Sequence, residues 1–489
     1  MTAAADSPNH AADRFAGQVR RAVLWRSGSQ IVAQAMQWSA TFLVIRVLQP
    51  SDYGLFAMTQ VVLAFLSLLN GYGLASAIVA RPDVSRRELS QLFGMLLLVN
   101  AGLAAAQWLL APAVAGYYRQ PVVADLLRVQ CALYLLAPFV ALPQAMLARG
   151  LDFARTAKAN IAASLASAAA ALGGAWAGWG VWTLVFAPIV LFSVRGLLFT
   201  IAAGGLPRPA FAFKGTGALV RYGGMMAAGQ LLAFLWTQAD VLIGGRHLSA
   251  HELGVYTTSL FLAQIFVSKI APPVHDVAFA TYAKLQGDPA AAGRAFLGFA
   301  RLVTVAAMPF HLGLAAAAEP LVLVLLGPQW ADAAPVVRAL SVAMPFYAVY
   351  VLLAPAADGM GRPALNAGNG AVAALLAPVL LLVAVRWGPV GLAAAWGLVF
   401  PALLWVGAKR VLPVIEVRAA ALVRVVAPPA AAALAMAAVV VVADRALGNL
   451  EPLPRLASLV AIGGAVYGGW LLLFARDSLA ELWRLARRR

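Results

Sequence analysis

Leu92-Phe-Gly-Met-Leu-Leu-Leu-Val-Asn-Ala-Gly-Leu-Ala-Ala-Ala-Gln-Trp-Leu-Leu-Ala-Pro-Ala-Val-Ala115 carries no charge over 24 residues. Wound as an α-helix rising about 1.5 Å per residue, it extends roughly 36 Å, enough to cross a hydrocarbon core of about 30 Å. A barrel strand would instead alternate apolar and polar residues over about ten positions. Neither this run nor Val372–Val385 alternates. In lipid a helix satisfies its own backbone hydrogen bonds, so such runs read as membrane-spanning helices. The rest of the chain agrees: of 489 residues, 63% are hydrophobic and 11% charged, and the mean hydropathy is +0.84. A soluble domain of that composition would lack polar residues to cover its surface. The sequence therefore predicts an all-α polytopic membrane protein.

About fourteen apolar segments follow one another, near 27–48, 53–80, 90–115, 122–148, 156–176, 181–203, 218–245, 253–280, 293–317, 333–355, 364–385, 389–412, 420–443 and 456–475. Residues 1–26 are polar and arginine-bearing, and are read as a cytoplasmic segment before a retained first helix rather than a cleaved signal peptide. The net charge of +17 would suggest nucleic acid in a soluble protein. Here it reads as topology, with no nucleic-acid partner. Of 36 Lys and Arg residues, 25 fall on the face shared with the N-terminus and 6 on the other. That asymmetry predicts two cytoplasmic termini, because basic residues stay near anionic headgroups on the cytoplasmic side. Tyr117, Tyr118, Trp176, Trp179, Trp182, Trp330 and Trp387 fall at outer span ends, where an aromatic belt is expected.

Connections are too short for an extramembrane catalytic domain, and Cys131 is the one cysteine, so neither a disulfide nor a thiolate metal site is expected. Neither a phosphate-cradling Gly-x-x-x-x-Gly-Lys motif nor His-Glu-x-x-His occurs. The reading is a transporter rather than an enzyme, without a cofactor, driven by an ion, potential or substrate gradient.

Two stretches match at a constant offset of 200. Arg46-x-Leu48-x3-Asp52-x-Gly54-x-Phe56 aligns with Arg246-x-Leu248-x3-Glu252-x-Gly254-x-Tyr256, and Gln30 and Ala33 meet Gln230 and Ala233. The plain alternative is two similar helix–turn–helix corners. A true repeat predicts two pseudo-symmetric six-span lobes, residues 27–205 and 214–413. Two extra spans within 419–476 and a basic cytoplasmic tail, 477–489, would then follow. Transporters built from repeats bind near the repeat interface and rock one lobe against the other.

Several motifs resemble the polysaccharide transporter family of the MOP flippase superfamily. They are Arg46-Val-Leu-Gln-Pro-Ser-Asp-Tyr-Gly-Leu-Phe56, Leu142-Pro-Gln-Ala-Met-Leu-Ala-Arg-Gly-Leu-Asp-Phe153, Asp240-Val-Leu-Ile-Gly-Gly-Arg246 with Leu253-Gly-Val-Tyr256, and Pro320-Leu-Val-Leu-Val-Leu-Leu-Gly-Pro-Gln-Trp330. The resemblance covers most of residues 20–410 in order, and the last two spans carry none of these motifs. It implies a flippase in the bacterial inner membrane that moves a polyprenyl-diphosphate-linked oligosaccharide repeat unit for O-antigen, capsule or exopolysaccharide assembly. Membrane lipids, a polysaccharide polymerase and export machinery are the implied partners.

Such a task needs a wet path. Ser27, Gln30, Gln34, Gln37 and Thr41 lie at spacings of 3, 4, 3 and 4, one helical face. Gln60, Ser67 and Asn70 follow on the second span, before Gly71 and Gly73, a soft point. The competing reading is hydrogen-bonding glue between helices. Arg128, Arg195, Lys269, Arg301 and Arg338 are the basic residues within spans. Intramembrane charge is costly and faces a cavity or a partner. Arg195 and Lys269 lie deepest and are the candidates for holding the implied diphosphate, while the other three are placed to snorkel. Asp240 and Asp276 are candidates for ion coupling, with Asp358 a third acid beside a span. Asp240 could instead cap a turn at the outer span end, and Asp276 could pair with Lys269 on the same face. His247, His251, His275 and His311 lack metal-ligand spacing and read as packing or interfacial residues.

A drug or cation antiporter of the same superfamily is the alternative within transport, although drug export calls for an aromatic pocket with an acid. A membrane-embedded polysaccharide polymerase or ligase would want paired carboxylates, in which the outer loops are poor. A structural scaffold is the remaining reading. The wet-path reading is checked by Gln30→Cys, Gln34→Cys and Gln37→Cys in a Cys131→Ala background. Each cysteine is expected to react with a membrane-impermeant thiol reagent, and protection of all three, with the cavity open to the reagent side, favours glue.

Overall fold

A computed structural model describes residues 39–68, 85–150, 152–211, 231 and 233–474. Gln30, Gln34, Gln37 and Asn70 lie outside the described residues, as do most of the first and seventh expected spans. Every regular element among the described residues is helical. Nine helical stretches among them are long and apolar enough to cross a membrane, and the protein is a multi-pass membrane protein. The chain divides into two compact units between Leu231 and Leu232.

The first unit holds α1 (39–47), α2 (Pro50–Ser67), α3 (Arg86–Tyr118), α4 (Val122–Arg149), α5 (Phe153–Trp176) and α6 (Val181–Ala202). Ser85 starts α3 with a capping box: its hydroxyl accepts from the Glu88 N–H at 3.2 Å while the Glu88 carboxylate accepts from the Ser85 N–H at 2.8 Å. Arg119, left-handed at φ 57°, ends α3. α3 packs on α4, α5 on α6, and α4 on α6. Polar ties join these helices where lipid offers no substitute. Gln130 Nε2 donates to Thr59 Oγ1 at 3.0 Å, Gln107 Nε2 to the Leu127 carbonyl at 2.7 Å, and Ser167 Oγ to the Ala187 carbonyl at 2.8 Å.

The second unit begins with a helical stretch at 233–237, then α7 (Ala239–His247), α8 (Ala250–Lys284), α9 (Pro289–Ala316), α10 (Ala318–Leu325) and a 3-10 turn at Pro328–Trp330. It continues with α11 (Ala333–Tyr350), α12 (Leu353–Gly359), α13 (Pro363–Ala384), α14 (Gly388–Val411), α15 (Ala419–Ala446) and α16 (Pro452–Phe474). Tyr282, Phe296, Val349, Leu353 and Ile415 form part of its apolar core. α15 lies along α9 and α16 packs on α15 and α10, with Met308, Ala433, Met436, Val440 and Leu459 buried among them. Arg455 on α16 donates to both carboxylate oxygens of Asp444 at 2.7 and 2.9 Å and reaches Glu319 on α10 at 3.3 Å. The last two helices are thus stapled into the second unit.

The offset-200 stretches adopt the same local form. Leu48 N–H donates to Val44 at 2.9 Å and Leu248 N–H to Gly244 at 2.8 Å, closing one helix. The next helix opens with its N3 carboxylate folded back: Asp52 accepts from the Gln49 N–H at 3.0 Å, and Glu252 from the Ser249 N–H at 2.9 Å. The motif acids are therefore helix caps, and Gly54 and Gly254 are buried beside them.

The aromatic belt is a partial match. Tyr117, Trp176, Trp179 and Trp387 are exposed, but Tyr118 is buried and Trp330 is fully enclosed. The reason for Trp330 is the 3-10 turn after α10, which folds the indole inward instead of leaving it at a span end.

Gly293 marks a close approach in the second unit. A Cβ there would run into the Ile415 carbonyl oxygen and come within 2.8 Å of Val417 Cγ2. Gly293→Val is expected to cost about 1–3 kcal/mol through overpacking and to lower the Tm in detergent. Gly298→Ala, which has open space, should be neutral or slightly stabilising. Equal melting of the Gly293→Val and wild-type proteins would contradict this packing.

Candidate functional site

Of the residues singled out from sequence, Gln60 on α2 and Arg195 on α6 are half-buried in the first unit, whereas Lys269 and Asp276 are exposed on α8 in the second. Seven residues separate Lys269 from Asp276, two turns along one helix face, and no ion pair joins them. Ser268, Pro272, Pro273 and His275 are exposed on the same half of α8. Prolines 272 and 273 lack the N–H groups that would bond the Ser268 and Lys269 carbonyls. On this exposed half of α8 the polar side chains are interspersed with exposed Ile270, Val277 and Phe279.

The other expected cations have local explanations. Arg128 pairs with Asp125 at 3.2 Å and sits 5.5 Å from the Trp108 ring centroid, and Arg338 Nε donates to the Ala315 carbonyl at 3.4 Å. His311 is buried with Nδ1 2.8 Å from the Ala307 carbonyl of its own helix, and Asp358 accepts from Asn366 at 2.8 Å.

Asp240 is not a cap at a solvent-facing turn. It opens α7 but is only 1% exposed. Its Oδ1 accepts from the Val241 N–H at 2.8 Å and its Oδ2 from the Tyr256 hydroxyl at 2.8 Å. The same hydroxyl accepts from Trp396 Nε1 at 2.8 Å. Because an indole N–H can only donate, the direction of the chain is fixed: Trp396 to Tyr256 to Asp240, joining α14, α8 and α7.

Trp396 is also the first ring of a column. Its ring stacks on Phe400 at 4.7 Å, Phe400 on Tyr347 at 4.7 Å, and Tyr347 on Tyr350 at 6.5 Å, with interplanar angles of 23°, 24° and 27°. Trp236 meets Tyr347 and Trp396 edge-on at 6.3 and 6.5 Å. Trp396, Phe400, Gly407 and Arg410 share one face of α14, and beyond the rings Arg410 Nη1 reaches Asn369 Oδ1 at 3.4 Å. Sequence reasoning missed Tyr256, Trp396 and this column. A usable signal was the repeat's own mismatch, since Asp240 and Tyr256 correspond at the offset of 200 to Ala40 and Phe56.

Between α8, α9, α10, α15 and α16 lies an apolar cavity of about 640 Å³, lined by Leu262, Phe310, Leu314, Met436, Leu459 and Tyr467 among others.

The helical fold is shared with solved membrane proteins. The lipid II flippase MurJ, in an inward closed conformation, superposes with a TM-score of 0.73 over 94% of this chain and 100% of its own, at 13% identity. A multidrug resistance MATE family transporter of the MOP superfamily, inward-facing, superposes with a TM-score of 0.62 over 81% of this chain and 100% of its own, at 15% identity. The family model for polysaccharide biosynthesis proteins matches residues 43–335, and the chain belongs to that family. It is 26% identical to the succinoglycan biosynthesis transport protein ExoT of Rhizobium meliloti over 71% of this chain and 70% of the relative. It is 24% identical to the teichuronic acid biosynthesis protein TuaB of Bacillus subtilis over 57% of this chain and 58% of the relative. For the lipopolysaccharide biosynthesis protein WzxC of Escherichia coli the identity is 22%, over 65% of each. The matches thus span between 58% and 70% of these relatives' lengths.

Tyr256→Phe removes the one hydroxyl that serves both Asp240 and Trp396. Leaving a buried polar group unpaired costs about 1–3 kcal/mol, so the variant should melt at lower temperature with an altered tryptophan emission. An unchanged Tm and spectrum would show that the bonded chain contributes nothing to the fold.

Proposed function

We propose that the protein is a flippase that carries polyprenyl-diphosphate-linked oligosaccharide repeat units across the bacterial inner membrane by alternating access of two lobes. The observation that carries the reading is that a member of the polysaccharide biosynthesis family shares its fold with a lipid flippase. In this reading the lobes are residues 27–205 and 214–413, both termini are cytoplasmic, and 419–476 extends the second lobe. Gln30, Gln34, Gln37, Gln60 and Asn70 line the glycan path, and Arg195 and Lys269 hold the diphosphate from opposite lobes. The apolar cavity beside α15 and α16 suits a hydrocarbon chain. Asp240, bonded within the second unit, and Asp276, exposed on α8, are the coupling groups. The missing helix bonds at Pro272 and Pro273 supply a hinge in α8. A polymerase and export machinery would take the product.

A drug antiporter is the second reading, favoured by the aromatic cluster beside Asp240. Against it, both oxygens of Asp240 are already engaged by protein donors. The two readings part in a deletion strain. Accumulated lipid-linked repeat units with lost surface polysaccharide support the flippase, whereas drug sensitivity with normal polysaccharide supports the antiporter.

Charge-assisted hydrogen bonds contribute about 1.5–3 kcal/mol each, so Arg195→Gln with Lys269→Gln should cut polysaccharide export at least about tenfold while the protein still inserts. Lys269→Arg should retain most of it. Normal export by the stably expressed double variant would overturn the assignment of these two cations.

A further inference from the structure

Within the second unit the ring column has an open side. Trp396 and Phe400 are buried at 3% and 2% exposure, while Trp236, Tyr347 and Tyr350 are half-buried. Tyr256, tied to the base of the column, has its hydroxyl saturated by a donor and an acceptor. The hydroxyls of Tyr347 and Tyr350 have no hydrogen-bonding partner among the described residues. Unlike the hydroxyls of Tyr118, Tyr134 and Tyr282, which are enclosed, these two open to the space beside the rings, where the neighbouring Phe400 offers no polar group. Two adjacent tyrosines with open hydroxyls on a rigid aromatic stack therefore point to a ligand.

Beyond Tyr350 the helices close up: a Cβ at Gly407 would come within 2.7 Å of Leu353 Cδ1 and 3.6 Å of the Tyr350 ring, and Gly407 and Asn369 are both buried. Arg410, exposed, follows one turn later. From Trp396 to Arg410 the helix rises about 21 Å, most of the way through a hydrocarbon core. The accessible groups in order are flat rings, then hydroxyls, then a guanidinium.

We propose that Trp236, Tyr347 and Tyr350, backed by Trp396 and Phe400, form a saccharide-stacking platform that grips the glycan of the lipid-linked substrate, with Arg410 beyond its far end. The proposal rests on the flippase reading for its substrate class. A pyranose has an apolar C–H face and a rim of hydroxyls. Aromatic faces match the first, and tyrosine hydroxyls match the second. A flat hydrophobic cation would use the same rings but would need a reachable carboxylate, and Asp240 is enclosed. The bonded chain from Asp240 through Tyr256 positions Trp396 and so holds the column rigid; these are positioning residues.

The test uses the purified full chain in nanodiscs. Oligosaccharide repeat units released by mild acid from the host's purified surface polysaccharide are titrated calorimetrically, with undecaprenyl diphosphate as a sugar-free control. Wild type is expected to bind both. Tyr347→Leu with Tyr350→Leu should weaken glycan binding at least about tenfold, by loss of two stacking and two hydrogen-bonding contacts. Binding of undecaprenyl diphosphate should be unchanged. Tyr347→Phe with Tyr350→Phe should fall between. If the leucine pair does not fold, Trp236→Leu at the open edge replaces it with the same expectation. Glycan binding that is absent in wild type, or equal in wild type and the folded leucine variants, overturns the platform. Wild type that binds glycan yet leaves lipid-linked saccharide unmoved in proteoliposomes overturns the flippase reading and leaves the platform standing.

Discussion

Inside a bilayer core a polar group must be bonded to protein or bathed in water, since lipid offers neither donor nor acceptor. Among the described residues, two groups of polar side chains differ in how they meet that demand. Gln107, Gln130 and Ser167 turn inward and bond across helices, as does Asp240 through Tyr256 and Trp396. Lys269, His275 and Asp276 are exposed on α8 instead. The first group ties helices together within each unit.

The same constraint separates stiff from yielding parts. Capped corners at Asp52 and Glu252 pin the start of α2 and α8, and the Arg455 staple joins α16 to α15 and α10. About two-thirds of the way along α8, by contrast, two prolines remove consecutive helix bonds next to Lys269. The capped start of the helix is thus held more firmly than its proline-bearing part.

Much of the fold could be read from hydropathy alone, because a spanning helix must declare itself as an unbroken apolar run. The expected spans at 122–148 and 389–412 correspond to Val122–Arg149 and Gly388–Val411. The role of Asp52 and Glu252 was hidden, because a capping acid and a functional acid look alike until the N–H they accept from is placed. Trp330 and Tyr118 were misjudged for a similar reason: an aromatic at a span end satisfies the belt pattern whether it faces headgroups or protein. The bond between Tyr256 and Trp396 joins residues 140 positions apart, beyond the reach of any local pattern. The stacked rings also mix lipid-compatible residues whose alignment only packing reveals. Of the site residues named from sequence, Gln60, Arg195, Lys269, Asp240 and Asp276 have a place in this description, and Gln30, Gln34, Gln37 and Asn70 lie outside the described residues.

Transport of a lipid-linked saccharide is the function proposed for this apolar helical bundle. The most direct measurement reconstitutes the purified protein into vesicles carrying a polyprenyl-diphosphate-linked repeat unit and follows its capture by an impermeant lectin outside. A time-dependent rise in the captured fraction above the half exposed at the start, dependent on the protein, is the predicted result. A captured fraction that stays at the level of protein-free vesicles, with the protein folded and inserted, would contradict it.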